Sequence, residues 1–283
     1  MQPKQRELSP TKTSRLFTGL LILKKLMEPR YDWAKEKARA VLQELDVIQL
    51  EDLSDLEKLC MGRGVCVSYQ KMRNLEGVLV RSRRIIGVRS DIPELGRKRF
   101  TIAHELGHWE MHPGLNQLQA CTAADIHGYR GSAAELEANT FAAEFLMPDF
   151  MLTEQMRYLS PTIDTAKKLA ARFQTSLTAT AVRLCEYTNL PIFFAFSTNG
   201  KVRWYRRSAR ARDYYFIQRG SELDGESLAR YCTETPDDAT EPVEVESSAW
   251  FPEDYHRARF KVFEESVELG DYGVTLSIIS VDD

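Results

Sequence analysis

The chain has 283 residues, 43% of them hydrophobic and 28% charged, with a formal net charge of −3. That is enough chain for two domains with their own cores, and the composition is globular rather than fibrous or disordered. The slight acidity argues against a general nucleic-acid binder. Five cysteines, an odd number without a C-x-x-C pair, point to a reducing compartment, the cytoplasm, rather than to a disulfide framework.

At the N-terminus, Lys4, Arg6, Lys12 and Arg15 precede an apolar run from Leu16 to Leu23. Lys24 and Lys25 end the run, no small-residue cleavage site follows, and it is too short to span a bilayer. Residues 1–29 are expected to be a disordered extension, and no membrane partner is expected. Trp33, Ala34, Ala38, Val41, Leu42 and Leu45 then recur at helical spacing over residues 31–45. A short helix is expected from Ser54 to Met61, with Leu56, Leu59 and Cys60 inward. Residues 64–69 alternate as a strand, and residues 77–81 and 84–89 read as a hairpin. The strand around Ile85 is a candidate edge to hold an extended peptide. Asp91-Ile92-Pro93-Glu94 marks a helix start.

The helix that follows contains Phe100-Thr101-Ile102-Ala103-His104-Glu105-Leu106-Gly107-His108-Trp109. His104 and His108, four apart, share a helix face and can reach one small metal ion. Glu105 lies about 100° further round the helix, beside the ion, where it can take a proton from water. This is the H-E-x-x-H arrangement of zinc peptidases. Gly107, which costs a helix about 1 kcal/mol against alanine, fits if another helix or a substrate backbone must come close.

A catalytic site of this kind needs a third protein ligand and an open position. A helix read from Ala134 and ended by Pro148 places Glu135 on a stripe with Ala138, Asn139, Ala142 and Leu146. Glu137, Thr140 and Glu144 fall on the opposite stripe, read as solvated. A carboxylate on the apolar stripe needs a partner. That partner is a metal ion or a buried salt bridge to Arg97 or Arg99. Cys121, between the two motifs, reads as a small loop residue, with a regulatory thiol as the sharper alternative.

The two motifs resemble those of the ImmA/IrrE family of metallopeptidases, R-x-R-F-T-x-A-H-E-x-G-H followed by E-x-x-A-N-x-F-A-A-x-L-L-M-P. Here the first runs from Arg97 to His108 and the second from Glu135 to Pro148, with Phe145 where leucine is usual. The resemblance implies His104, His108 and Glu135 as metal ligands and Glu105 as the general base. It places Asn139 behind the ligands. It also implies a zincin-like fold with Zn2+ as cofactor. Mn2+ or Fe2+ remain open on the ligands alone.

Residues 164–173 and 177–187 form two short helices of helix-turn-helix size. The second begins Leu177-Thr178-Ala179-Thr180 and has its first basic residue at Arg183, so direct DNA reading is disfavoured. After Leu190 the pattern is strands: residues 192–197 and 201–205 flank Thr198-Asn199-Gly200, a hairpin signal. The basic residues at 201–212 read as a solvated face. Residues 231–256 read as a long acidic loop, and residues 259–264 and 274–279 as further strands.

The expected class is α+β. A zincin-like metallopeptidase domain (30–158) precedes a helical, HTH-like segment (159–190) and a C-terminal, strand-rich α/β domain (191–283), where the resemblance implies a sensor-like domain in some family members and no motif shows a ligand. By resemblance the function is metallo-endopeptidase cleavage of a helix-turn-helix (XRE-type) repressor, derepressing stress, phage or mobile-element genes. Two rivals are a DNA-binding regulator whose metal site is structural and a module that docks the repressor without cutting it. For the remaining oxyanion donor, Tyr69, Tyr129 and His127 are candidates. His112 either approaches the site or ends the helix.

Overall fold

A computed structural model describes residues 28–114, 118–127, 131–152, 159–211, 216–234, 241–251, 260–270 and 273–282. The extension assigned to residues 1–29 falls outside them except for its last two residues. The protein is of the α+β class. Helix α1 (Tyr31–Glu44) buries Ala34, Ala38, Val41 and Leu42, the stripe that the sequence spacing predicts. Helix α2 (Leu56–Gly62) starts where the Asp55 side chain accepts the Lys58 backbone N–H.

Strands β1 (Cys66–Gln70), β2 (Gly77–Val80) and β3 (Ile85–Arg89) follow. β2 and β3 form the expected antiparallel hairpin, turned by Arg81–Arg83 and closed by Arg84 at φ 54°. β1 runs parallel to β3, and a fourth strand, β4 (Leu118–Cys121), joins β2, giving the order β1-β3-β2-β4. The strand around Ile85 is therefore internal, not an edge; the edges are β1 and β4. β4 escapes sequence reading because four residues are too few for a period, and only pairing with β2 defines it.

Helix α3 (Leu95–Met111) carries the H-E-x-x-H motif, and helix α5 (Ala133–Leu146) carries Glu135; the short α4 (Ala123–His127) lies between them in sequence. The Ser132 side chain caps α5 by accepting the Glu135 N–H. Gly107 is where the two long helices meet. A Cβ there would stand 3.1 Å from Phe141 Cδ1 and 3.3 Å from the Ala138 Cα. Its helical cost is thus offset by close packing of α5.

Helices α6 (Ile163–Phe173) and α7 (Leu177–Tyr187) are capped by the side chains of Thr162 and Ser176. The C-terminal sheet has strands β5 (Ile192–Thr198), β6 (Lys201–Arg207), β7 (Val243–Val245), β8 (Lys261–Glu268) and β9 (Val274–Asp282). Their order is β6-β5-β9-β8-β7, antiparallel throughout, with helix α8 (Leu228–Glu234) alongside. Asn199 (φ 51°) and Gly200 (φ 69°) make the β5–β6 turn. The stretch expected as a long acidic loop is more ordered than its charge suggests: β7 pairs with β8, and Trp250 and Phe251 are buried.

Three apolar clusters result. One joins α1, α2, the first sheet, α3 and α5. A second joins α6 and α7 to one face of the C-terminal sheet through Ile192, Phe194, Leu276 and Ile278. The third lies on the other face, with Phe193, Ala195, Ile279 and Trp250. Burial on both faces explains the unbroken apolar run of β5.

Glu137 and Glu144, expected on a solvated face of α5, are 3% and 0% exposed. The α5 helix is covered on both sides, by α3 and by α1, and each acid keeps a cationic partner. Glu137 accepts from the Arg30 guanidinium, and Glu144 accepts from Arg39 and Arg183. Arg183 is 1% exposed. It donates to Glu144 (3.0 Å), Asp149 (2.7 Å), Glu186 (2.8 Å) and the Met147 carbonyl (2.7 Å). The first basic residue of α7 is thus an internal tie, not a DNA contact. Burial pushes the Asp149 carboxyl up, but hydrogen bonds from Tyr187 and Arg183 outweigh this and hold it at about 2.

Replacing Arg183 by Met should cost about 3–5 kcal/mol in urea unfolding at neutral pH, because Glu144 loses its buried partner. Asp149→Asn should destabilise near pH 7. Because the folded carboxyl is depressed, its stabilisation exists above the ordinary carboxylate range and fades as pH falls towards 2. The wild-type and Asp149→Asn melting curves should therefore converge on acidification.

Candidate metal centre

The histidine pair is buried: His104 is 0% and His108 1% exposed. Their Nε2 atoms stand 3.1 Å apart. Glu135 Oε2 lies 3.1 Å from His104 Nε2 and 3.3 Å from His108 Nε2. A tetrahedral ion with bonds of about 2.0–2.1 Å to such atoms spaces them about 3.4 Å apart. The three atoms therefore already stand near ligand spacing.

Hydrogen bonds on the far side fix which ring atoms carry protons. The Asn139 amide nitrogen donates to the Asp125 carbonyl (3.0 Å), which turns its oxygen towards His104 Nδ1 at 2.9 Å. His104 therefore donates from Nδ1 and presents a lone pair at Nε2. His112 Nε2 donates to the Glu137 carboxylate (2.9 Å), so a neutral His112 accepts at Nδ1. His108 Nδ1 is its donor at 3.0 Å, leaving a second lone pair at His108 Nε2. Glu135 is held from behind as well. Gln119 of β4 donates to Oε1 (2.9 Å), freeing Oε2 for the histidines. Two ring nitrogens and a carboxylate oxygen thus converge on one point, where a proton or a metal cation can be shared. The donor set fits a divalent metal ion, and His104, His108 and Glu135 could hold it.

Burial pushes the Glu135 carboxyl up, but hydrogen bonds with the His104 and His108 imidazoles outweigh this and hold it well below the usual range. Burial lowers His104, but its hydrogen bond with Glu135 outweighs this and raises it. Burial lowers His108 to about 4. Glu105, 0% exposed, is pushed by burial up to about 7. Neither of its carboxylate oxygens meets a nitrogen or oxygen donor among the described residues, and the Cys121 thiol is its hydrogen-bonding neighbour. It occupies room left by a missing side chain, since a Cβ on Gly77 would fall 2.2 Å from Glu105 Oε1.

The alternatives raised for Glu135 find other uses. Arg97 is paired with Glu76, and Arg99 donates to the Leu53 and Ser54 carbonyls. His112 both ends α3 and reaches the site, as the support of His108. Tyr69 is engaged by Glu57. Tyr129 lies outside the described residues, as does the side chain of His127. Sequence reading missed Gly77, Gln119 and the place of Cys121, whose ligand-capable atom lies within 4.8 Å of those of His104, His108 and Glu135. Their signal is tertiary: β2 and β4 bring them to the helices.

Residues 60–185 match the family model of the IrrE N-terminal-like domain. A 110-residue stretch is 33% identical to the radiation response metalloprotease IrrE of Deinococcus radiodurans, covering 37% of this chain and 32% of that protein. The IrrE of Deinococcus deserti is 29% identical over 138 residues, 47% of each chain. The metallopeptidase ImmA of Bacillus subtilis is 34% identical over 65 residues, covering 23% of this chain and 37% of that protein. The matched stretches therefore span a third to a half of these relatives. A solved Mycobacterium tuberculosis transcriptional regulator superposes with a TM-score of 0.57 over 90% of this chain and 89% of its own, at 16% identity, so the fold is shared.

Native mass spectrometry should find one divalent ion per chain, lost in His104→Ala and Glu135→Ala. Asn139→Ala should retain the site but bind the ion about 10–100-fold more weakly in chelator competition, because His104 loses its orienting partner.

Proposed function

Residues 60–185 belong to the ImmA/IrrE family of metallopeptidases, and on that footing we propose that the chain is a zinc-dependent endopeptidase acting on a helix-turn-helix (XRE-type) repressor. His104, His108 and Glu135 are its metal ligands and Glu105 its general base. The carrying observation is the fully buried Glu105 carboxylate, without a nitrogen or oxygen donor among the described residues, beside two imidazoles and a carboxylate that converge on one point. A structural metal site needs no such base, which disfavours the non-cutting readings.

A bound zinc ion supplies Lewis-acid polarisation of the scissile carbonyl and of the attacking water. The rest is done by the chain. Glu105 takes the water's proton on a carboxylate oxygen and delivers it to the leaving amine nitrogen. Asn139 and His112 hold the two ligand imidazoles in the required tautomers. Gln119 keeps Glu135 turned towards them. β4, an edge of the first sheet, replaces the Ile85 strand as the place where an extended peptide can add by backbone hydrogen bonds. Zinc suits a site of two histidines and one glutamate, with manganese and iron as the competing ions.

Among the described residues no helix is long and apolar enough to cross a membrane. None of the five cysteines is joined in a disulfide, and cytoplasmic action on a transcription factor is part of this proposal. Stress, phage or mobile-element genes are the regulated class, and direct DNA contact by α7 is disfavoured by the burial of Arg183.

Incubating the metal-loaded chain with the repressor encoded beside its gene should give two fragments by intact mass. Glu105→Gln should bind the repressor and leave it whole. Fragments from both proteins, or from neither, would overturn the assignment. Gly77→Ala should also lose cleavage by at least about 100-fold while keeping its metal, because the added methyl displaces the Glu105 carboxylate.

A further inference from the structure

We infer that the Cys121 thiolate is a fourth ligand of the metal, closing the site with two histidines, a glutamate and a cysteine in the resting protein. The inference rests on the assignment of His104, His108 and Glu135 as ligands.

Cys121 is the last residue of β4 and 0% exposed. Its Sγ lies 3.9 Å from Glu135 Oε2. An ion with bonds of about 2.0–2.1 Å to nitrogen or oxygen and about 2.3 Å to sulfur places sulfur about 3.6 Å from each other ligand. Sγ is thus close to that distance from Glu135, and it lies within 4.8 Å of the ligand nitrogens of His104 and His108. The strand register makes this placement firm. Cys121 lies directly across from Gly77, so their side-chain positions share a face of the sheet. The Glu76 N–H holds the Cys121 carbonyl at 3.0 Å.

A second group points to the same spot. The Glu105 carboxylate fills the space over Gly77, fully buried, with no nitrogen or oxygen donor among the described residues and the Cys121 thiol as its hydrogen-bonding neighbour. Metal ligation favours a thiolate over a thiol.

The step balances within the site. Ligation by sulfur would release the thiol proton, for which the neighbouring Glu105 carboxylate is the acceptor at hand, and would fill the position that water needs. Loss of the sulfur ligand would return that proton to the thiol and free both positions. Cys121 and Gln119 are both on the edge strand β4, so a peptide adding to that edge acts on the strand that carries both.

The test uses the full chain loaded with Co2+ and, separately, with Zn2+. Wild type and Cys121→Ser should each hold one cobalt ion. Wild type should show an intense near-ultraviolet thiolate-to-cobalt charge-transfer band that Cys121→Ser and Cys121→Ala lack. Zinc X-ray absorption of the wild type alone, which needs no variant to fold, should give one sulfur scatterer at about 2.3 Å with three lighter ones. One bound ion with no band and no sulfur scatterer would overturn this inference and leave the three-ligand assignment standing. No bound ion in any form would overturn both.

Discussion

The whole arrangement depends on how closely two helices can approach. His104 and His108 are fixed on α3 and Glu135 on α5, and a single ion can be shared only if the helices nearly touch. Gly107 supplies that contact. With no side chain of its own, it lets Phe141 and Ala138 lie against the α3 backbone. The same motif thus spends one position on chemistry and another on the packing that makes the chemistry reachable.

Around that contact the chain places polar groups in pairs rather than singly. One line runs from His104 through Asn139 to the Asp125 carbonyl, the other from His108 through His112 and Glu137 to Arg30. Arg81 closes the far end of α3, donating to the carbonyls of His108 and His112, where the helix dipole is negative. These lines leave the buried histidines no freedom to present the wrong nitrogen. Among these groups Glu105 alone meets no nitrogen or oxygen donor.

Much of the N-terminal part was legible because its signals are local. The period of α1, the hairpin 77–89 and the spacing of His104, His108, Glu135 and Asn139 all lie within short windows. What was hidden is what a window does not contain. Glu137 and Glu144 look solvated on a helical wheel, but α1 and Arg183 cover that side of α5. Ile85 sits inside the sheet because β1 joins it in parallel from another part of the chain. Gly77 looked like a hairpin residue, and its role is to leave a hole for a carboxylate on a different element. Cys121 belongs to a strand of four residues that exists only by pairing with β2.

Helix α7 is anchored on two sides. Leu184 and Cys185 belong to the core under the C-terminal sheet, while Arg183 is bound to Glu144 and Asp149 beside α5. Modular exchange is constrained as a result. A graft that swaps the C-terminal region after Tyr187 would strip the apolar cover from α6 and α7, and one that swaps before Ile163 would leave Glu144 facing a foreign helix. A transplantable unit must therefore carry its own arginine at the Arg183 position, so recombination among relatives should preserve that pairing even where the sheet itself diverges.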